Sequence, residues 1–326
     1  PQYSPEGQLQ PVDVGVDFDG NLLTRGSVLT DEGTFRINFA NTSLAVSIGT
    51  CTFTNGSNIV TGTDFTQYDV HTGDYVKLDA DAESAWAQIE RFIDANTIEL
   101  VSNYTGTGGS GAASRTLVRP VTGTGGSLAV ASSQLTIGAG TSARDVTGVQ
   151  RSVDYAPLVF RGRLSLSQRI ANQDFYVGMT EQFSSAKWFA RFRFNGTVNT
   201  TVICETGRNP TGAPSASETE TTTITTSTGT NTSQLLEYRI ELLTERVLFF
   251  INGLLVAEHT RVIPHQHDEM IIGAWFINGV TPATNTNAVV DFITAKNHNK
   301  LEVGILSDSE AINARTQPLQ LFAYNQ

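Results

Sequence analysis

Charge is scarce in this chain. Asp, Glu, Lys and Arg make up only 16% of the 326 residues, against about a quarter in an ordinary globular domain. The shortage falls mainly on the basic side, with 21 Lys and Arg against 32 Asp and Glu, a net charge of -11. Wrapping a phosphate backbone requires basic surface, so nucleic acid is excluded as a partner. An acidic balance of this size suits solubility among crowded neighbours. Cysteine is nearly absent. Cys51 and Cys204 lie far apart and form no CxxC spacing, which excludes a disulfide framework and a zinc cluster. Each reads as a small buried hydrophobe. No apolar run approaches the roughly 20 residues of a membrane-spanning helix, so membrane insertion is not expected. P-loop, GxSxG and CxxC motifs are missing too. The glycines of "TGTGGSG" lack a following Lys-Ser/Thr and read as linker rather than phosphate cradle. No cofactor is expected.

What the chain has is turn residues and alternation. Gly occurs 29 times and Pro 10 times, among many Thr, Ser and Asn. "KWFARFRFNGTV" places Trp188, Ala190, Phe192 and Phe194 on one side and Lys187, Arg191 and Arg193 on the other. "LLEYRIELL" separates Leu236, Tyr238, Ile240 and Leu242 from Glu237, Arg239 and Glu241. Period-two alternation is that of a half-buried strand. Asn55-Gly56, Asn195-Gly196 and Asn252-Gly253 stand between such segments, as tight hairpins require.

The pattern divides the chain into an extended N-terminal arm over 1–33, an opening strand over 34–48, a small β module over 49–114, a larger β-sandwich over 115–300 and a tail over 301–326. The module closes with "TGTGGSGAAS", which reads as a flexible glycine-rich exit. In the sandwich, Leu164–Gln168 and Phe175–Met179 read as adjacent core strands joined by a polar connector. "GAPSASETETTTITTSTGTNTS" reads as a surface excursion. "SDSEAINART" is the one helical window, with Ser307 or Asp308 as N-cap. About ten strands in the second block predict an all-β jelly-roll sandwich carrying an inserted small barrel or sandwich, with extended termini.

Candidate chemistry is thin. Cleavage of a sugar bond by two carboxylates on one strand needs alternate spacing. No Glu-x-Asp occurs, and Glu218-Thr-Glu220 falls in the low-complexity stretch, where nothing in the sequence would hold it. His265, His267, Asp268 and Glu269 offer metal-ligand types, but Pro264 marks a hydrated turn. "DADAE" over 79–83 lacks the glycine and distal Glu of a calcium loop and reads as a hairpin tip. Neither is taken as a metal site. Arg161, Arg163, Arg169, Arg191 and Arg193 read as solvated strand faces, and Trp275 in "MIIGAWFI" as core. The expected contacts are assembly contacts. Val14, Val16 and Phe18 in the arm, and Leu319, Leu321, Phe322 and Tyr324 in the tail, are apolar residues on extended segments that need cover.

The run from "GGSLAVASSQLTIGAG" through "LVFRGRLSLSQRIANQDFYVGM" to "EYRIELLTERVLFFINGLLVAEHT" resembles the concanavalin-A-like lectin/glucanase sandwich in the form found in tailed-phage virion proteins. The stretch from "TCTFTNGSNIVTGTDF" to "TGTGGSGA" resembles a small β module of phage tail and capsid-surface proteins. This likeness implies a non-enzymatic structural component on the virion exterior, a tail or baseplate accessory, fibre or capsid decoration. Its partners would be other virion proteins and further copies of itself. The alternative it implies is an adhesin whose partner is a host-surface glycan.

Overall fold

The computed structural model describes residues 14–16, 22–24, 34–39, 44–153, 159–166, 168–196, 201–225, 234–265, 270–280, 282 and 284–296. The chain separates into a unit of Pro1–Phe35 with Lys296–Gln326, and a unit of Arg36–Ala295. In the first, β1 (Val14–Val16) pairs antiparallel with β2 (Leu22–Thr24), setting Val14 opposite Thr24 and Val16 opposite Leu22. Phe18, Leu319, Leu321, Phe322 and Tyr324 lie outside the described residues, as does the helical window at 307–316.

In the second unit a closed barrel precedes the sandwich. Its strands are β4 (Val46–Phe53), β5 (Ile59–Gly62), β6 (Tyr75–Leu78), β7 (Ala87–Asp94), β8 (Thr97–Leu100) and β9 (Gly109–Thr116), closed in the order β4-β5-β8-β7-β6-β9; β3 (Thr34–Asn38) precedes them. Ile48, Phe53, Val60, Val76, Ile98 and Tyr104 fill the interior. The glycine-rich segment is a correction to the linker reading, because it forms β9 and pairs with β4 on one side and β6 on the other. Hydrogen bonding along both edges offsets the poor strand propensity of glycine, and closure leaves no open edge. "DADAE" is corrected as well. Asp81 is buried, and it accepts hydrogen bonds from Tyr104 Oη at 2.7 Å and from the Thr107 hydroxyl and amide.

The sandwich strands are β10 (Arg119–Val121), β11 (Ser127–Ala131), β12 (Gln134–Gly138), β13 (Val146–Val153), β14 (Val159–Leu166), β15 (Gln173–Thr180), β16 (Trp188–Phe194), β17 (Thr201–Arg208), β18 (Thr219–Thr225), β19 (Leu236–Leu242), β20 (Val247–Ile251), β21 (Leu254–His259), β22 (Met270–Asn278) and β23 (Asn287–Lys296). One sheet runs β10-β13-β22-β15-β16-β17-β18. The other runs β11-β12-β23-β14-β19-β20-β21, with β3 also on β23. Two layers with antiparallel strands drawn from across the chain make an all-β, concanavalin-like jelly roll. Among the described residues the other regular elements are three short 3₁₀ turns. Leu164 on β14 and Phe175 on β15, both buried, therefore lie in opposite sheets rather than on neighbouring strands, because the polar connector carries the chain between layers. Beside β17, the Thr-rich stretch forms edge strand β18. β-branched Thr favours extended backbone, so this part of the expected excursion is a strand.

Packing between the sheets is aromatic. Phe192 meets Tyr238 and Phe249 edge-on at 5.1 and 5.2 Å, and Phe194 meets Tyr238 at 5.2 Å. Cys204 is fully buried on the same face, and both cysteines are free thiols. Barrel and sandwich are fastened at Asp74, which is buried and lies 3.5 Å from Arg151 of β13 and 3.3 Å from Arg115 of β9. Beside it, the Ser152 amide donates to Tyr75 Oη at 3.0 Å.

Candidate functional site: the outer face of the seven-stranded sheet

Alternation decides which side chains leave the core. Phe175, Phe192, Phe194, Cys204 and Phe276 point between the sheets, so Asp174, Tyr176, Arg191, Arg193, Glu205 and Trp275 point outward from β15, β16, β17 and β22. Register then places them side by side: Tyr176 opposite Trp275 and Arg193, and Arg191 opposite Glu205.

The result is a stack of flat groups crossing three strands. Phe183, from the connector after β15, lies on Trp275 with centroids 4.6 Å apart and planes 18° apart. Trp275 stacks on Tyr176 at 5.5 Å and 13°. The Arg191 guanidinium follows, 4.4 Å from Tyr176 and 4.0 Å from Phe189. Each aromatic contact contributes about 0.5–1.5 kcal/mol beyond burial, and each cation–π contact a similar amount. Glycine makes room for it. A side chain at Gly273 would come within 3.3 Å of the Phe183 ring. Gly178, opposite Gly273, has φ of +146°, and a Cβ there would lie 2.6 Å from the Ala190 carbonyl. Trp275 is fully buried, and its Nε1 has no hydrogen-bond partner among the described residues. It is thus core of a second kind, on the outside of the sheet, because the connector folds Phe183 over it.

Beside the stack runs a row of charge. Arg193 donates to Asp174 Oδ2 from Nη2 at 2.7 Å and from Nε at 3.0 Å, and to Glu205 Oε1 from Nη1 at 3.2 Å. Arg191 Nε donates to Glu205 Oε2 at 3.1 Å. The Gly196 amide completes Asp174 at 3.0 Å. Two carboxylates and two guanidiniums balance, so the row carries no net charge. The Glu205 side chain is only 6% exposed, whereas Arg193 is 31% exposed and reaches solvent. Burial disfavours the charged Arg193, but Tyr176, Asp174 and Glu205 outweigh it and hold its pKa above the ordinary arginine value. Burial pushes the Tyr176 phenol up to about 12 despite the two arginines, so it stays a hydrogen-bond donor. The arginine face is therefore an ordered network rather than a solvated one.

The other sequence candidates do not converge here. Glu218 and Glu220 are held after all: Glu218 accepts from the Ser215 amide and hydroxyl at 2.9 and 2.7 Å, and Glu220 from the Arg261 and Val262 amides at 2.8 and 3.2 Å. Both bind turns together. His267, Asp268 and Glu269 lie outside the described residues. Among the described residues no group of three His, Cys, Asp or Glu could hold a metal. Sequence reading found Arg191 and Arg193 but missed Asp174, Tyr176 and Glu205. Their signal was the same alternation, in "QDFYVGMT" and "TVICETGR".

No protein-family model and no curated protein matches the sequence. Solved structures do resemble the fold. The catalytic domain of an endo-1,3-β-glucanase from Thermotoga petrophila is 10% identical with a TM-score of 0.41, over 53% of this chain and 81% of that one. The β-glucanase of Bacillus licheniformis is 11% identical with a TM-score of 0.41, over 52% and 81%. The laminarinase of Rhodothermus marinus is 16% identical with a TM-score of 0.41, over 52% and 80%. These proteins are glucan hydrolases, and nothing shows a virion origin. That finding overturns the expected function, a non-enzymatic structural component of a phage particle. Likeness of this degree transfers no activity and no residue role, so function has to be argued from the chain's own site.

Proposed function

We propose that the protein acts on carbohydrate, holding a glycan against the outer face of the seven-stranded sheet. The observation that supports this reading is the junction at Tyr176, where the aromatic stack meets the charge-balanced row. A sugar ring has apolar C–H faces and a rim of hydroxyls, each both donor and acceptor. The rings themselves are buried and form the rigid backing of the row, while carboxylates beside guanidiniums match the hydroxyl rim through charge-assisted hydrogen bonds. A balanced row suits a neutral ligand better than an anion. Asp174 and Glu205 are also the groups with which a bound glycosidic bond would be cut, since such cleavage uses a carboxylate pair. In this reading Arg193, bonded to both, yields one of them to the ligand.

The test uses the full chain in affinity electrophoresis against neutral β-glucans, mannans and galactans, with reducing ends measured on the same incubations. Retardation by at least one polymer is expected. Arg193→Met removes charge-assisted bonds of about 1.5–3 kcal/mol each and should weaken that retardation at least tenfold. A folded protein that ignores the whole panel, or a variant that binds as well as the parent, refutes the reading.

A further inference from the structure

We propose that Asn252, at the tip of the β20–β21 hairpin, is a site of spontaneous deamidation, which the fold leaves open while it closes the other Asn-Gly pairs. The sequence holds four such pairs, at Asn55, Asn195, Asn252 and Asn278. In an Asn-Gly pair the glycine amide nitrogen attacks the asparagine Cγ. A bond forms between them, and the glycine amide gives its proton to solvent. The Cγ–Nδ2 bond breaks, and Nδ2 takes up a proton and leaves as ammonia. Water then opens the cyclic imide at either carbonyl, giving aspartate or isoaspartate. Glycine allows the approach because it has no Cβ. The attack requires a glycine nitrogen free to turn toward Cγ.

Three of the four nitrogens are held. Gly56 N donates to the Tyr104 carbonyl at 2.9 Å, and Gly279 N to the Asn172 carbonyl at 2.8 Å. Gly196 N donates to Asp174 Oδ1 at 3.0 Å. Two of the leaving groups are held as well, Asn55 Nδ2 by the Gly106 carbonyl at 2.7 Å and Asn278 Nδ2 by that of Ser142 at 2.9 Å. Gly196 is also closely packed, since a Cβ there would run into the Ile170 carbonyl.

Gly253 is the exception. Its amide, in the turn between two strands, finds no acceptor among the described residues, and nothing lies within 4 Å of where its Cβ would be. Asn252 and Gly253 are both exposed, and the leucines that follow have little packing to lose, Leu254 being 72% exposed and Leu255 54%. Segments with few buried contacts open at low cost. Asn252 sits at φ of 49°, an uncommon region for a residue with a side chain, so rotating the tip out of it relieves strain. The electrophile, by contrast, is anchored on β19. The Glu237 amide donates to Asn252 Oδ1 at 2.8 Å, and the Asn252 amide donates to the Glu237 carbonyl at 2.9 Å. The first of these bonds polarises the carbonyl under attack and stands where the oxyanion develops.

Conversion adds a negative charge to a chain already at -11. Isoaspartate also routes the backbone through the side chain, which lengthens a turn whose flanks, Ile251 and Leu254, are paired. That product loosens the edge of the eight-stranded sheet, whereas aspartate keeps the turn.

The experiment ages the full chain in mildly alkaline buffer and follows isoaspartate by enzymatic methyl labelling, with peptide mass mapping to place it. The same chain held unfolded in urea is the reference, in which all four pairs should convert at similar rates. In the folded chain Asn252 should convert at least about fivefold faster than any other pair, because each of those must first give up a hydrogen bond. Asn252→Gln, whose imide ring would be one atom larger, should lose the early label. The proposal is overturned if the folded chain converts Asn252 no faster than Asn55, Asn195 or Asn278, or if Asn252 converts in urea but not in the folded chain.

Discussion

On its inner face the seven-stranded sheet presents Phe175, Phe192, Phe194 and Phe276, all essentially unexposed, with Phe192 and Phe194 packed against the opposite sheet. On its outer face the same strands present Trp275, Tyr176, two arginines, Asp174 and Glu205. Inner rings meet tilted within the sheet, as Phe175 does with Phe194 and Phe276, and edge to face where two layers interdigitate, as Phe192 and Phe194 do with Tyr238. Outer groups lie nearly parallel, because they stand on neighbouring strands and have no facing layer to enter. The difference teaches that stacking order here comes from strand register, whereas core packing comes from the meeting of two sheets. It also explains why charge is tolerated on one face: each outer carboxylate finds a guanidinium one strand away.

The comparison breaks most visibly at Phe192. Phe192→Ala removes a ring wedged between Tyr238 and Phe249 and should cost about 4 kcal/mol in urea unfolding. Glycan binding by the fraction still folded should not change. If the loss is under about 1 kcal/mol, the inner face is not the source of stability that it is taken to be here.

Phe183→Ala probes the outer face. Its ring covers Trp275 from a connector rather than a strand, so the expected loss is smaller, about 2 kcal/mol. Trp275, one of three tryptophans, should become accessible to acrylamide quenching. Unchanged quenching with unchanged stability would mean that the stack ends at Trp275 and owes nothing to the connector.

The smallest effect belongs to a polar residue of the inner face. His259 is fully buried, with Nδ1 2.9 Å from the Thr206 hydroxyl and Nε2 3.0 Å from that of Thr222. Burial lowers its pKa, reinforced by Arg261 and opposed by Glu220 and Glu205. The unfolded chain therefore takes up a proton near pH 6.5 that the folded chain refuses. This contribution is complete above that pH and shrinks as pH falls through it. Melting temperatures at pH 7.5 and 5.5 should differ more for the parent than for His259→Gln. Equal differences would show that the imidazole gains its proton without loss of packing.

Much of this was legible before any coordinates. Alternation in "KWFARFRF" named both faces of β16, and Asn252-Gly253 forms the tight turn expected of it, with φ of 49° and 78°. Ser132 and Ser133 adopt the same paired positive φ, 52° and 61°, without a glycine. Composition misled at β9 and β18, where glycine- and threonine-rich segments read as loops. Both are strands because neighbours supply hydrogen bonds along their length, and a local reading cannot count neighbours. Glu218 was read as unheld although its partner is local, since Ser215 and Glu218 form the Ser-x-x-Glu capping box of a 3₁₀ turn; Glu220, by contrast, accepts from amides more than forty residues away.

By itself the sequence determined the strand class, the alternating faces and the net acidic balance. These are local properties, carried by period and composition. Tertiary structure alone decided that Trp275 stacks on Tyr176, nearly a hundred residues away, and that Arg193 bridges Asp174 and Glu205. Each depends on which strands become neighbours and in what register, and that choice is made by burial across two sheets rather than by any one segment.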